Sequence, residues 1–327
     1  MAIAMEMRDP KKLCIGQWAG FAIDQNDTLW GWGSSVEGNV GDGHAEGGPD
    51  KPVVILESVA DIRQVSTGAF ALQTDGSLWI WGNGWSTRPV KVMDDVAAIS
   101  EGGLVLTKYG EVWLCKYSST LPAGVASADI FERYVPVAED GRIIISDEGQ
   151  YSLEYSPWRS EPDVVYMVLE RKLSGVIRIE EQFAFDAFGG AWLIDSNTSD
   201  PRAVRLCEDG KQADIQNIAM ERCALVLRQD GVLRRFGLDG SGGETVAENV
   251  AQIVRGTSCA TYIDNEGQLW QIVGDGAASL LDGGVLFADG CTDDIVVYIK
   301  TDGTLWKAAS SGAPQKVLEN MKLPKDV

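Results

Sequence analysis

Apolar and polar residues alternate on both sides of Asp75-Gly76 in the stretch Phe70-Ala-Leu-Gln-Thr-Asp-Gly-Ser-Leu-Trp-Ile-Trp-Gly82. This is the period-two pattern of two strands joined by a tight turn, and Asp-Gly supplies the positive φ angles such a turn requires. Trp79 and Trp81 fall on one face of the second strand. A lone hairpin is marginal in water, so the pattern demands neighbouring strands.

Aligning the chain on the turn supplies them. The anchor position is Asp27, Gly76, Gly110, Gly141, Gly189, Gly231, Gly267 and Gly303, eight hairpins in all. Three residues beyond each anchor stand Trp30, Trp79, Trp113, Ile144, Trp192, Arg234, Trp270 and Trp306. Successive anchors lie 49, 34, 31, 48, 42, 36 and 36 residues apart, the period of propeller blades rather than of shorter solenoid repeats. Between hairpins, segments such as Pro52-Val-Val-Ile-Leu56 and Pro89-Val-Lys-Val-Met93 add further short strands, about four per unit. The fold class expected is all-β: one β-propeller domain over residues 1–327 built of four-stranded blades, with eight repeats counted and seven or eight blades open. The tryptophans are expected to seal the space between blades. Arg234, in a tryptophan position, calls for a carboxylate partner or a locally splayed blade.

The units resemble those of the regulator-of-chromosome-condensation repeat family, with a strand ending in glycine, a hairpin at Asp-Gly, and a Trp-Gly followed by a glycine-rich loop. Trp32-Gly-Ser-Ser-Val-Glu-Gly-Asn-Val-Gly-Asp-Gly43 is the best match to the family's loop, and Gly256 and Gly267 keep its eleven-residue glycine spacing. The resemblance spans essentially the whole chain, although most loops are shortened and the inner-loop histidine of the family is missing. It implies a bacterial-type propeller, and its precedents include a propeller that inhibits β-lactamases. The end segment Ala313-Pro-Gln-Lys-Val-Leu-Glu-Asn320 looks like the apolar strand absent before the first unit. It is therefore expected to join the N-terminal blade and close the ring, removing exposed edges.

Composition narrows the function. Apolar residues make up 45% and charged residues 23% of the 327, as in an ordered globular protein, with no apolar run long enough to span a bilayer as a helix. The start of the chain lacks the features of a secretion signal. Six cysteines show no CxxC pair, which reads as free thiols in a reducing, cytoplasmic setting. The net charge of −20 is spread over the chain: 7 basic against 13 acidic residues in 1–100, 8 against 17 in 101–200, and 13 against 18 in 201–327. Such a field repels nucleic acid and attracts a basic protein, or serves solubility alone.

Catalytic candidates are few. The single histidine, His44, lies in a glycine-rich loop, away from any placed nucleophile, and no cysteine-histidine set suits a transition metal. The acid pairs Asp94-Asp95, Glu180-Glu181 and Asp293-Asp294 lack calcium-loop spacing. No enzyme activity, cofactor or metal is expected.

In a four-stranded meander, the loops joining strands one to two and three to four leave the sheet at the same end. Those loops hold Trp18, Glu37, Asp42, His44, Glu46, Trp85, Tyr155, Trp158, Arg159, Glu180, Glu181, Asp239, Asp293 and Asp294. Their aromatics either pack loops together or anchor a partner amid charge. The function expected is a monomeric, non-enzymatic binder that captures a cationic protein through this acidic face and neutralises it, as an inhibitor or immunity protein does. The alternatives are a guanine-nucleotide-exchange-like regulator of a small GTPase and a carbohydrate-binding propeller; neither nucleic acid nor membrane is an expected partner.

Overall fold

A computed structural model of the chain describes residues 11–16, 18–65, 68–83, 85–118, 134–138, 141–144, 166–195, 202–218, 221–255, 260–272, 277–292, 295–309 and 312–319. Among these residues the structure is all-β, broken by a single 3-10 turn at Val36–Gly38.

The strands form seven antiparallel sheets. The first contains β1 (Lys12–Ile15), β2 (Ala19–Ile23), β3 (Leu29–Gly33) and β4 (Val53–Leu56). The second contains β5 (Val59–Val65), β6 (Gly68–Gln73), β7 (Leu78–Gly82) and β8 (Ser86–Met93). The third starts with β9 (Val96–Ile99), β10 (Leu104–Thr107) and β11 (Val112–Ser118), and continues with β12 (Tyr134–Ala138), β13 (Gly141–Ile144) and β14 (Tyr166–Leu173). The fourth contains β15 (Val176–Glu180), β16 (Phe183–Asp186), β17 (Ala191–Ile194) and β18 (Ala203–Cys207). The fifth contains β19 (Gly210–Ile218), β20 (Glu221–Arg228), β21 (Leu233–Phe236) and β22 (Gly242–Ala247). The sixth contains β23 (Val250–Ile253), β24 (Ala260–Asp264), β25 (Leu269–Ile272) and β26 (Ser279–Asp282). The seventh contains β27 (Val285–Thr292), β28 (Ile295–Lys300), β29 (Leu305–Ala309) and β30 (Gln315–Leu318). Six sheets run in chain order, the up-and-down pattern of a propeller blade; the third runs β9-β10-β11-β14-β13-β12. The chain divides into two compact units, one of Met1–Gln182 with Ser196–Pro201, the other of Phe183–Asp195 with Arg202–Val327.

Seven sheets answer the count of eight hairpins. The hairpin around Gly141 starts no sheet of its own; β13 pairs with β14 and extends the third sheet beyond its fourth strand. The expected strand exchange between chain ends is also corrected. β1 already gives the first sheet its four strands, and β30 pairs with β29 as the last strand of the seventh. The segment from Ala313 onward matches the outer strand of its own repeat, because Trp306 faces Lys316 as Trp30 faces Val54.

The recurring hairpin has a sharper geometry than Asp-Gly alone suggests. The anchor amide closes a turn on the carbonyl three residues back, as Gly76 does on Gln73 at 3.0 Å and Gly267 on Asp264 at 3.1 Å. Only the anchor has positive φ, from 63° at Asp27 to 92° at Gly76, while Asp75, Asp230 and Asp302 do not. This is a turn of four residues ending in a left-handed residue. The anchor also laces consecutive sheets, because its carbonyl accepts the first amide of the next sheet. Val59 donates to Asp27, Val96 to Gly76, Val176 to Gly110, Gly210 to Gly189, Val250 to Gly231 and Val285 to Gly267, all at 2.7 to 2.9 Å. At Gly110 a Cβ would lie 2.9 Å from the Val176 oxygen, so glycine is demanded there by the neighbouring sheet as well as by φ.

The tryptophan three residues on is held to its own turn. The Trp30, Trp192 and Trp270 indole nitrogens donate to Asp24, Asp186 and Asp264 at 2.8 to 2.9 Å, while the same carboxylates accept two backbone amides each. Trp79 uses Gln73 instead, at 2.7 Å. Burial alone would raise the Asp24 carboxyl, but the bonds from Trp30, Thr28 and Asn26 outweigh it and hold the group below its ordinary value. Between third and fourth strands, every sheet shifts register at the step entering this position, from Leu29/Trp30 to Leu305/Trp306. Such a bulge increases local twist.

Cores lie between consecutive sheets of one unit. Phe21, Ile23 and Leu29 pack on Ile62, Ala71 and Trp81; Phe70 and Ile80 pack with Ile99, Val105 and Trp113. In the second unit Phe183 and Leu193 pack on Ala224 and Val226. Trp79, Trp270 and Trp306 pack against these clusters and are half-buried. At Arg234 the expectation is met in part: Asp209 feels its charge, but the hydrogen bonds to Asp209 come from Arg228, and the buried Arg234 Nε has no partner.

Candidate protein-binding site

The chain between β3 and β4, residues 34–52, is the long loop of the first sheet, and hydrogen bonds fold it firmly. Gly33 and Ser35 amides donate to Pro49 and Gly47 carbonyls, and the Gly43 amide donates to Thr87 in β8 at 2.9 Å. The Ser35 hydroxyl donates to the Asp42 carboxylate at 3.0 Å, and the His44 amide donates to the same carboxylate at 3.1 Å. Val40 is buried in the core, and the Trp81 indole reaches the Asn39 carbonyl at 3.2 Å while meeting Phe21 edge-on. Gly38 has φ of 77°, and a Cβ there would lie 2.5 Å from the Ser86 oxygen. The glycine-rich stretch that carries the family resemblance is therefore a plug seating the first sheet on the second. The exposed charged or histidine side chains of the 34–52 loop are Glu37, His44, Glu46, Asp50 and Lys51.

Beside the plug stands Trp18, in the loop between β1 and β2, 52% exposed. Its carbonyl accepts the Ser34 amide at 2.8 Å, which fixes it next to the start of the long loop. The first unit thus brings together Trp18, Glu37, Asp42, His44 and Glu46 from the residues singled out in the sequence. Next to them a groove of about 600 Å³ runs between β4 and the second sheet, lined by Val53 to Leu56, Trp79, Pro49 and Pro89, with Asp42, His44, Glu46 and Arg88. This groove was not legible in the sequence, since it depends on which outer strand faces which tryptophan.

Trp85 is a correction. It is wholly buried, packed in the core between second and third sheets with Phe70, Ile80 and Val90, its amide bonded to the Gly82 carbonyl at the end of β7. Glu180 is also less available than expected, since it pairs with Arg178. Glu181, at φ of 49°, accepts the Ser100 hydroxyl through its carbonyl at 2.6 Å. Asp239 lies in the second unit, where it caps its own turn through Ser241. Tyr155, Trp158, Arg159, Asp293 and Asp294 lie outside the described residues. Among the described residues no group of three or more histidine, cysteine, aspartate or glutamate side chains is placed to hold a metal. Cys14, Cys115, Cys207 and Cys223 are free thiols, and burial pushes the Cys115 thiol well up.

Sequence reasoning passed over Asp214. This carboxylate is buried at 8% exposure in β19, held by the Ile215 amide at 3.0 Å and the Gln216 side chain at 2.9 Å. Desolvation raises it to about 6, against the opposing pull of Gln216 and of the Arg255 charge, with Asp289 pushing further upward. Its ordinary value is 3.8, so the folded protein binds the proton more tightly than the unfolded chain. Stability is then highest below about pH 4 for this group and is lost as pH rises through 6. Asp214→Asn is expected to raise the unfolding free energy at pH 8 by roughly 1–3 kcal/mol and to flatten the profile between pH 4 and 6. Urea unfolding across that range checks it; a variant that is less stable at pH 8 refutes the assignment.

No protein-family model matches the chain, and no curated protein matches it. Solved structures do. Human WBSCR16 aligns over 90% of this chain and 88% of its own, at 15% identity and a TM-score of 0.49. Prp20p of Saccharomyces cerevisiae, whose description speaks of its binding to Gsp1p and histones, aligns over 94% and 76% at 15% identity and 0.45. AztD of Citrobacter koseri aligns over 93% and 84% at 11% identity and 0.45.

Proposed function

We propose that this RCC1-like, propeller-type chain is a non-enzymatic binding protein that captures a cationic protein partner through the end of the first unit formed by Trp18 and the folded 34–48 loop. The observation that carries this reading is the pairing of a half-exposed tryptophan with a preorganised loop presenting Glu37 and Glu46. A rigid loop loses little entropy on docking, an aromatic anchor supplies the apolar contact, and a chain of net charge −20 speeds encounter with a basic surface. Neutralisation of the partner, as by an inhibitor or immunity protein, follows if the captured surface includes the partner's own working site. Free thiols at Cys14, Cys115, Cys207 and Cys223 favour a cytoplasmic setting.

Capture from native cell extract on the immobilised protein, repeated across a salt series, tests the reading. A basic protein held one-to-one at low salt and released at high salt is the expected result. Glu37→Lys with Glu46→Lys is expected to weaken that complex by about tenfold or more, mostly through slower association. A partner whose retention depends on guanine nucleotide, or a glycan in place of a protein, overturns it.

A further inference from the structure

Outer strands are the exposed edges of these sheets, and most carry a device that discourages further pairing. β8 contains Pro89 and Lys91, β18 Arg205, β22 Glu244, β26 Asp282 and β30 Lys316. β14 is covered by β13, and that sheet ends at β12, which contains Pro136. β4 reads Val-Val-Ile-Leu, with neither charge nor proline, and Val54 is 50% exposed. Among the described residues it is the one outer strand left both uncovered and unprotected. The same molecule shows that this edge position accepts a strand, because β13 lies antiparallel on β14 from Gly141 opposite Glu170 to Ile144 opposite Met167. Beside β4 lies the groove, with Trp79 and Pro89 on one side and Asp42 and Glu46 among its lining.

We propose that β4 is an acceptor edge that takes an extended cationic segment of the protein partner as a fifth strand of the first sheet. Backbone hydrogen bonds to Val53–Leu56 carry the docking, alternate side chains enter the groove against Trp79, and lysine or arginine side chains meet Asp42 and Glu46. A second copy is a poor occupant, because each copy carries −20 and like-charged surfaces repel. The inference rests on the binding reading above and specifies its partner.

An octapeptide of alternating lysine and valine is the probe, with the glutamate-valine octapeptide as control, both added to the full chain. Slowed amide exchange at residues 53–56 with the first peptide and not the second is expected. Val54→Lys, at a half-exposed position, is expected to keep the melting curve and to weaken peptide binding by about tenfold. Absence of protection at residues 53–56, or equal binding of the acidic peptide, overturns the proposal. A concentration-dependent dimer in sedimentation that Val54→Lys dissolves also overturns it, since the edge then serves self-association. If Val54→Lys leaves capture of the whole partner intact while Trp18→Ala weakens it, the acceptor edge falls and the binding reading stands.

Discussion

Trp85→Ala is expected to lower the unfolding free energy by about 3–5 kcal/mol, the cost of emptying a large aromatic site in a closed core. Trp85 is wholly buried among Phe70, Leu72, Ile80 and Val90 of the second sheet and Ile99 and Val105 of the third. The backbone around it is pinned, with the Trp85 amide on the Gly82 carbonyl at 3.0 Å, so the walls have little freedom to collapse into the space. Denaturant unfolding of the purified variant measures the effect. A loss under about 1 kcal/mol is what an exposed rim residue gives, and would return Trp85 to the binding surface. The result also decides how any loss of partner binding in this variant is read, because a protein missing several kcal/mol of its total stability is partly unfolded at working temperature.

Trp18→Ala is the complementary experiment and carries the second large effect. Trp18 is half-exposed, and what ties its segment down is its backbone carbonyl, which alanine retains. The melting curve is expected to stay within about 0.5 kcal/mol of the parent. Affinity for the captured partner is expected to fall by about 2 kcal/mol, roughly thirtyfold, as for a central aromatic anchor. Titration calorimetry with the partner recovered from extract measures it. Unchanged affinity together with unchanged stability would place the interface elsewhere, in the second unit or in loops outside the described residues.

The two tryptophans show where reading along the chain succeeds and fails. Both stand in short loops at the same end of their sheets, and nothing in local periodicity separates them. Trp18 is half-exposed, held through its backbone carbonyl to Ser34; Trp85 is buried because Ile99 and Val105 of the third sheet pack with it. The glycine-rich motif from Trp32 to Gly43 posed the same problem. Its place among the loops at one end of the sheets suggested a recognition surface, yet Gly38, Asn39, Val40 and Gly41 are buried where the first sheet seats on the second, and Glu37 is its exposed acid, with His44 and Glu46 exposed just past its end.

Local physics sufficed for the hairpins. A left-handed residue closing a four-residue turn, alternation on either side and an indole six residues beyond a turn acid are all short-range requirements, so the sequence alone determined the strands, their antiparallel pairing and the blade-sized repeat. The number of sheets, the place of the Gly141 hairpin, the sheet that β30 joins, the burial of Trp85 and Asp214, and the groove beside β4 depend on which strands meet across long sequence separations. Those choices are made by edge pairing and by the packing of one sheet on the next, and only the tertiary structure decided them.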